Sequence, residues 1–245
     1  NIHRGNLNYH YTGMITVEHI RRPVYKQWKD HFYFQRYKGY FVVDGQQRLT
    51  TITILVFELI QAYFQADNPN NQRLLGVRQE RWIEDYLIRN EDEDYPLSFV
   101  FGYHTDNPSD RFFKVKILEQ TQFAEADEPL EQTAYTNQLL AAKQFFGEKI
   151  AQYLNKEANY SSVKEAYEKL ENLCQLLVER MMFDFKILDD ALDIFMVFET
   201  VNTRGKGLSD LEKLKNRLIY LATLLKSMSS ASNETMAKVP SDLRP

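Results

Sequence analysis

At 245 residues the chain is long enough for one large domain or two small ones. Hydrophobic residues make up 44%, with 16 Phe and 15 Tyr, which is ample for a core, and a net charge of −4 excludes a whole-surface attraction to nucleic acid, so any DNA contact has to be local. The single cysteine, Cys174, excludes an intramolecular disulfide framework and a multi-cysteine zinc site, and its helical surroundings read it as a small core residue.

Residues 1–8 are polar and carry no apolar signal segment. Tyr9 to Val17 (YHYTGMITV) is β-branched and aromatic, with Gly13 as a bulge or bend, and reads as a strand. Glu18 to Lys38 is a connector in which Arg21, Arg22, Lys26, Lys29, Arg36 and Lys38 interleave with Tyr25, Trp28, Phe32, Tyr33 and Phe34. Such a segment either packs its aromatics inward or tracks a nucleic-acid backbone. Residues 39–43 form an uncharged strand that pairs with the first. Leu49 to Phe64 follows, with Glu58 its only formal charge, and reads as a helix apolar nearly all round and therefore buried nearly all round. It is too short, and too interrupted by Thr and Glu58, to span a membrane, so a cytoplasmic protein is expected.

Asp67 to Asn71 signals a turn and Leu74 to Arg89 a helix. The acidic run Glu91–Asp94 reads as solvated, Leu97 to Tyr103 as a strand, Asp110 to Gln120 as a short helix, and Glu125 to Glu131 as an acidic linker. Asn137 to Asn155 and Val163 to Met181 are long amphipathic helices, most simply an antiparallel hairpin over the core. Met182 to Leu188 alternates as a half-exposed strand. A helix over Ala191–Val201 breaks at Asn202-Thr203-Arg204-Gly205-Lys206-Gly207, and Ser209 with Glu212 caps another running to about Leu225. Ser227 to Pro245 reads as a flexible tail or linker. The fold class is α+β, predominantly helical, with a small sheet from segments near 9–17, 39–43, 97–103 and 182–188. Residues 1–226 form the domain, and 68–180 are its mainly helical elaboration.

The polar corner Asp44-Gly45-Gln46-Gln47-Arg48 stands between the core strand and the core helix. Asp44 suits an N-cap, Gln47 the return half of a capping box, and Gly45 a tight turn. Capping does not need Gln46 or Arg48. A guanidinium at the mouth of a core helix wants a carboxylate or phosphate partner, and the free N–H groups of a first helical turn attract anions to the same place. Spacing alone leaves the structural cap and the anion site both open.

Val42 to Ile52 (VVDGQQRLTTI) resembles the signature of the N-terminal domain of GmrSD-type, modification-dependent restriction endonucleases, a DGQQR-motif family with a ParB/sulfiredoxin-like core. A second segment, Phe198 to Gly205 with Leu208-Ser209-Asp210 and Leu214-Lys215-Asn216, is similar to the family's FExxNxRG…LS…LKN element. Phe101-Gly102-Tyr103 and Asp106-Asn107-Pro108 match more loosely between them. The family's upstream element, a Tyr-Gln-Arg-like triplet near a proline, is not found in this sequence. The resemblance implies a ParB-like sheet, with a core helix after the DGQQR turn. It also implies a nucleotide-binding, NTP-hydrolysing module of a modification-dependent DNA restriction and anti-phage system. The alternative is a non-hydrolysing nucleotide or modified-DNA sensor or scaffold controlling an HNH-type nuclease domain or subunit outside this chain.

On that resemblance the two polar corners meet around one phosphate group. Asp44, Gln46, Gln47 and Arg48 would carry the chemistry. Gly45, Arg48, Thr50, Asn202, Arg204 and Lys206 would bind nucleotide, and Asp44 would hold Mg²⁺ beside a nucleoside triphosphate or orient water. The competing reading of the second corner is a glycine C-cap followed by an N-cap at Ser209. The chain has no Gly-x-x-x-x-Gly-Lys-Ser/Thr phosphate loop, no GxGxxG turn and no His-Asn-His nuclease pattern. Its histidines, His3, His10, His19, His31 and His104, stand at no metal-ligand spacing. Asp44 as a nuclease carboxylate would need a second acid that the sequence does not single out.

Overall fold

The computed structural model describes residues 9–20, 37–89, 97–104, 106–124, 129–155, 160, 162–188, 214 and 218. The chain divides into two compact units, Asn1–Lys186 and Ile187–Pro245. The elements are mixed α and β and predominantly helical. Most of the connector, the acidic run Glu91–Asp94, the expected helices after Asp189 and the tail lie outside the described residues.

Strand β1 (His10–His19) is central in a three-stranded sheet, flanked by β2 (Tyr40–Asp44) and β5 (Met181–Leu188). β1 and β2 run antiparallel, pairing Thr16 with Asp44 and Val17 with Val42. The register slips between these pairs, so Val43 is an extra residue in β2. Ile15, Thr16 and Val17 are buried, which fixes this stretch of β1 as the sheet's inner spine.

Helix α1 (Gln46–Tyr63) is the centre of the core. Its buried residues Thr50, Thr53, Ile54, Phe57 and Ile60 follow one stripe, and Val56, Leu59 and Tyr63 widen it. Helix α4 (Ala134–Tyr153) lies along α1, and α2 (Gln79–Tyr86) and α5 (Val163–Arg180) also pack against it. The core joins Ile54, Phe57, Ile60 and Tyr63 to Trp82, Phe113, Leu139, Ile150, Tyr167 and Leu170. Burying each such side chain contributes roughly 1.5–3 kcal/mol before conformational entropy is set against it. α1 ends where Asn68, almost fully buried, donates from Nδ2 to the Tyr63 carbonyl at 2.7 Å and accepts the Asn70 N–H at 2.9 Å, a turn where the sequence predicts one.

Four expectations are corrected. The helix predicted over Leu74–Arg89 is only α2, because Leu75 and Gly76 both take positive φ and Leu74 and Val77 close a tight turn with paired backbone bonds of 2.8 and 2.9 Å. The strand predicted over Leu97–Tyr103 is reduced to β4 (Ser98–Phe99), paired with β3 (Ile88–Arg89) in a separate two-stranded sheet. The helix predicted over Asp110–Gln120 starts earlier, as α3 (Pro108–Phe112), because the Asn107 side chain accepts the Ser109 N–H and Pro108 occupies the first turn. It continues as a π-helical turn, Phe113–Ile117, which buries Phe112, Phe113, Ile117 and Leu118 together. Finally, α4 and α5 pack on α1 more closely than on each other, so they are two flanks of the core helix. Their start signals are conventional: Thr133 forms a capping box with Thr136, and Ser162 accepts the Glu165 N–H.

Candidate functional site at the start of the core helix

Three local choices build the corner. β2 delivers Asp44 opposite Thr16. Gly45 turns the chain with φ 99° and ψ 7°, in the left-handed region where a side chain is disfavoured. α1 then begins at Gln46, three residues before the apolar periodicity at Leu49 announces it. The turn is also tight in space, since a Cβ on Gly45 would lie 3.2 Å from Ile15 Cγ1 and 3.4 Å from Ile15 Cα.

Asp44 is not the N-cap. Gly45 holds that position, and among the described residues no side chain caps the helix. The Asp44 carboxylate instead accepts from Arg48 Nη2 at 2.9 Å, one helical turn on. The two side chains are 24% and 35% exposed, so the pair itself is worth no more than about 1 kcal/mol. Nor does Gln47 return to close a capping box; its carbonyl accepts from the Thr51 hydroxyl at 2.7 Å. Gln46 Nε2 donates back to the Val42 carbonyl at 3.0 Å, tying the helix start to β2. Gln46 and Gln47 are both exposed.

Among the described residues, Arg48 Nε and Thr16 Oγ1, beside Asp44, are buried without a hydrogen-bond partner. Thr16 is fully buried and stands directly across the ladder from Asp44. Thr50 faces the interior. Its hydroxyl lies 3.2 Å from the Tyr103 hydroxyl, which in turn lies 2.8 Å from the Tyr135 hydroxyl on α4. Burial pushes the Tyr103 phenol above its ordinary range, so it stays neutral. Asn202, Arg204 and Lys206 lie outside the described residues.

Further along α1, Glu58 sits at the junction with α4. Lys143 Nζ lies 3.5 Å from Glu58 Oε1, donates to the Ile117 carbonyl at 2.6 Å and to Glu119 Oε1 at 3.0 Å, and stands 4.1 Å from the centre of the Phe57 ring. Burial raises the Glu58 carboxyl above the usual range, and the nearby Lys143 opposes that shift without cancelling it. Among the described residues no group of three or more His, Cys, Asp or Glu could hold a metal ion. Of the histidines, His104 Nδ1 lies 3.3 Å from Asp106 Oδ2, and the His19 ring lies 4.7 Å from that of Tyr40. Cys174 is buried, the small core residue the sequence predicts, and burial pushes its thiol up to about 12, which makes it unreactive.

A family model described as "GmrSD restriction endonuclease, N-terminal domain" matches residues 2–219. The chain belongs to that family. The match runs through the DGQQR corner and the Asn202–Lys206 corner alike, so the resemblance carried by these two motifs holds across most of the GmrSD-type chain. No curated protein matches it. Among the described residues no helix is long and apolar enough to cross a membrane.

Sequence reasoning missed three contributors to the corner. Thr16 carries no motif, and its role comes from register alone. Tyr103 stood in the loosely matching Phe101-Gly102-Tyr103 segment, but nothing in the sequence shows that it meets Thr50. Gly13 was legible as a bend and not as a neighbour of Arg48.

Proposed function

We propose that the Asp44–Arg48 corner binds the phosphate chain of a nucleoside triphosphate. On this reading the chain is an NTP-hydrolysing module of a modification-dependent DNA restriction system directed against phage. One observation carries it: a guanidinium held in place by a carboxylate stands at the uncapped N-terminus of the core helix. The N–H groups of the first turn have no intrahelical partner, so they and Arg48 offer donors to the same anion. Family membership supports the same reading.

In this proposal Arg48 takes a non-bridging phosphate oxygen, and the first-turn N–H groups take its neighbours. The exposed amides of Gln46 and Gln47 orient the attacking water. Gly45 lets the phosphate approach the backbone, and Asn202, Arg204 and Lys206 are proposed as further nucleotide-binding side chains. Thr50 acts behind the corner, through its hydroxyl contact with Tyr103, by holding α1 in place. Asp44 supplies a single carboxylate, which suits Mg²⁺ when phosphate oxygens complete its shell. Mg²⁺, when bound, would neutralise charge developing on the phosphate oxygens. DNA, modified at its bases, is contacted through local basic surface, and cleavage falls to an HNH-type nuclease domain or subunit. The compartment proposed is the cytoplasm.

A second reading is a non-hydrolysing sensor that binds nucleotide or modified DNA and controls the nuclease. The Asp44–Arg48 pair favours it, because a carboxylate already engaged by a guanidinium is a poorer metal ligand and a poorer base. Phosphate release from a triphosphate with Mg²⁺ separates the two. Binding with turnover supports the first, and binding without turnover the second. Unchanged binding in folded R48A and R204A chains contradicts both.

A further inference from the structure

The guanidinium of Arg48 rests against a residue that reads in the sequence only as a bend. Gly13 lies in β1, three positions before Thr16, with φ 113°. A Cβ placed there would lie 2.5 Å from Arg48 Nη1, 3.4 Å from Arg48 Cζ and 3.7 Å from Arg48 Cδ. All three nearest atoms belong to Arg48. The atom that would clash is the far end of a flexible side chain, so a side chain at position 13 would be accommodated by swinging the guanidinium aside, with the strand left in place. On the other edge, Nη2 is tied to Asp44 Oδ2 at 2.9 Å. Among the described residues Nε has no hydrogen-bond partner to hold it. The plane of the guanidinium is therefore set by two features on its two branches: the Asp44 carboxylate and the bare Cα of Gly13.

We propose that Gly13 is a positioning residue for Arg48: β1 supplies a seat without a Cβ that aims the guanidinium at the phosphate site. This rests on the reading of Arg48 as a phosphate ligand. A planar fork binds phosphate well only in the right orientation, and a displacement of about 1 Å in such a group weakens recognition strongly. Gly13 itself touches no ligand in this account and acts only through Arg48.

The test is a double-mutant cycle of G13A and R48A in the full chain, read by equilibrium binding of the four ribonucleoside triphosphates with MgCl₂ and by urea unfolding. The strain of an alanine at positive φ is the same in both backgrounds and cancels in the cycle. The contact with the guanidinium does not cancel. The proposal expects G13A to weaken triphosphate binding about tenfold or more in the parent and less than twofold in R48A. It also expects G13A to destabilise the parent more than it destabilises R48A. Parent-like binding by G13A, or equal stability losses in the two backgrounds, would overturn it. If G13A alone does not fold, the doubly substituted chain decides: recovery of folding on removing the guanidinium supports the seat, and no recovery overturns it. If the parent binds none of the four nucleotides, the phosphate reading fails by itself, while the stability cycle still decides whether Gly13 seats Arg48.

Discussion

Replacing Gly45 by alanine probes the turn that joins the sheet to the core helix. Two penalties follow from its geometry. At φ 99° an L-residue sits in the left-handed region, which costs about 1–2 kcal/mol. The new Cβ would also press on Ile15, 3.2 Å from Cγ1 and 3.4 Å from Cα. The side-chain atom can yield by a few tenths of an ångström, but the β1 backbone is held by its ladder, so overpacking adds roughly 1 kcal/mol. Against these, alanine restricts the unfolded chain and returns about 0.4–1 kcal/mol. The net expectation is a loss of about 2 kcal/mol, read as a shift in urea midpoint at constant m-value. For a chain of this size that corresponds to a fall in melting temperature of about 4–8 °C. A change within about 0.5 kcal/mol of the parent would refute the reasoning, since that is the ordinary spread of an unconstrained surface site.

Three further outcomes are expected. Thr50→Val removes the hydroxyl that meets Tyr103, leaves a half-buried phenol with one partner fewer, and should destabilise by about 1 kcal/mol in urea unfolding; Tyr103→Phe, which breaks both links of the chain, should lose at least as much. Glu58→Gln tests linkage. A carboxyl whose folded pKa is raised binds more protons folded than unfolded, so its contribution to stability is greatest at acid pH and falls as pH rises from the ordinary carboxylate value through the raised one. The stability of E58Q relative to the parent should therefore climb over that interval and level off above it, and a flat or falling difference in pH-resolved unfolding would contradict the assignment.

The helical core was legible because its signals are local. The apolar run after Leu49 could only be a buried helix, and the position of Cys174 within a helical repeat matched its burial. The Asn107–Pro108 start of α3 was written in the sequence as a cap signal beside a proline, yet the apolar pattern drew the helix from Asp110 instead. The turn at Leu75–Gly76 escaped because Leu75 is an unlikely residue for positive φ, held there by long-range contacts such as its N–H donating to Glu171 Oε1 at 2.8 Å. At the corner, the residue types were readable and the partners were not. Asp44 looked like a cap because aspartate so commonly caps; the left-handed turn at Gly45 moved the cap by one position and freed the carboxylate for Arg48. The neighbours that shape the site, Gly13 and Thr16, come from a strand about 30 residues upstream, and register across a ladder cannot be read from spacing along one segment.

Equilibrium binding of ribonucleoside triphosphates in Mg²⁺ to the parent, R48A and R204A chains, each checked for folding by circular dichroism, bears most directly on the nucleotide site. The account predicts saturable binding by the parent and a loss of tenfold or more in each variant, about 1.4 kcal/mol or more per guanidinium. Binding by both variants with the affinity of the parent would contradict it.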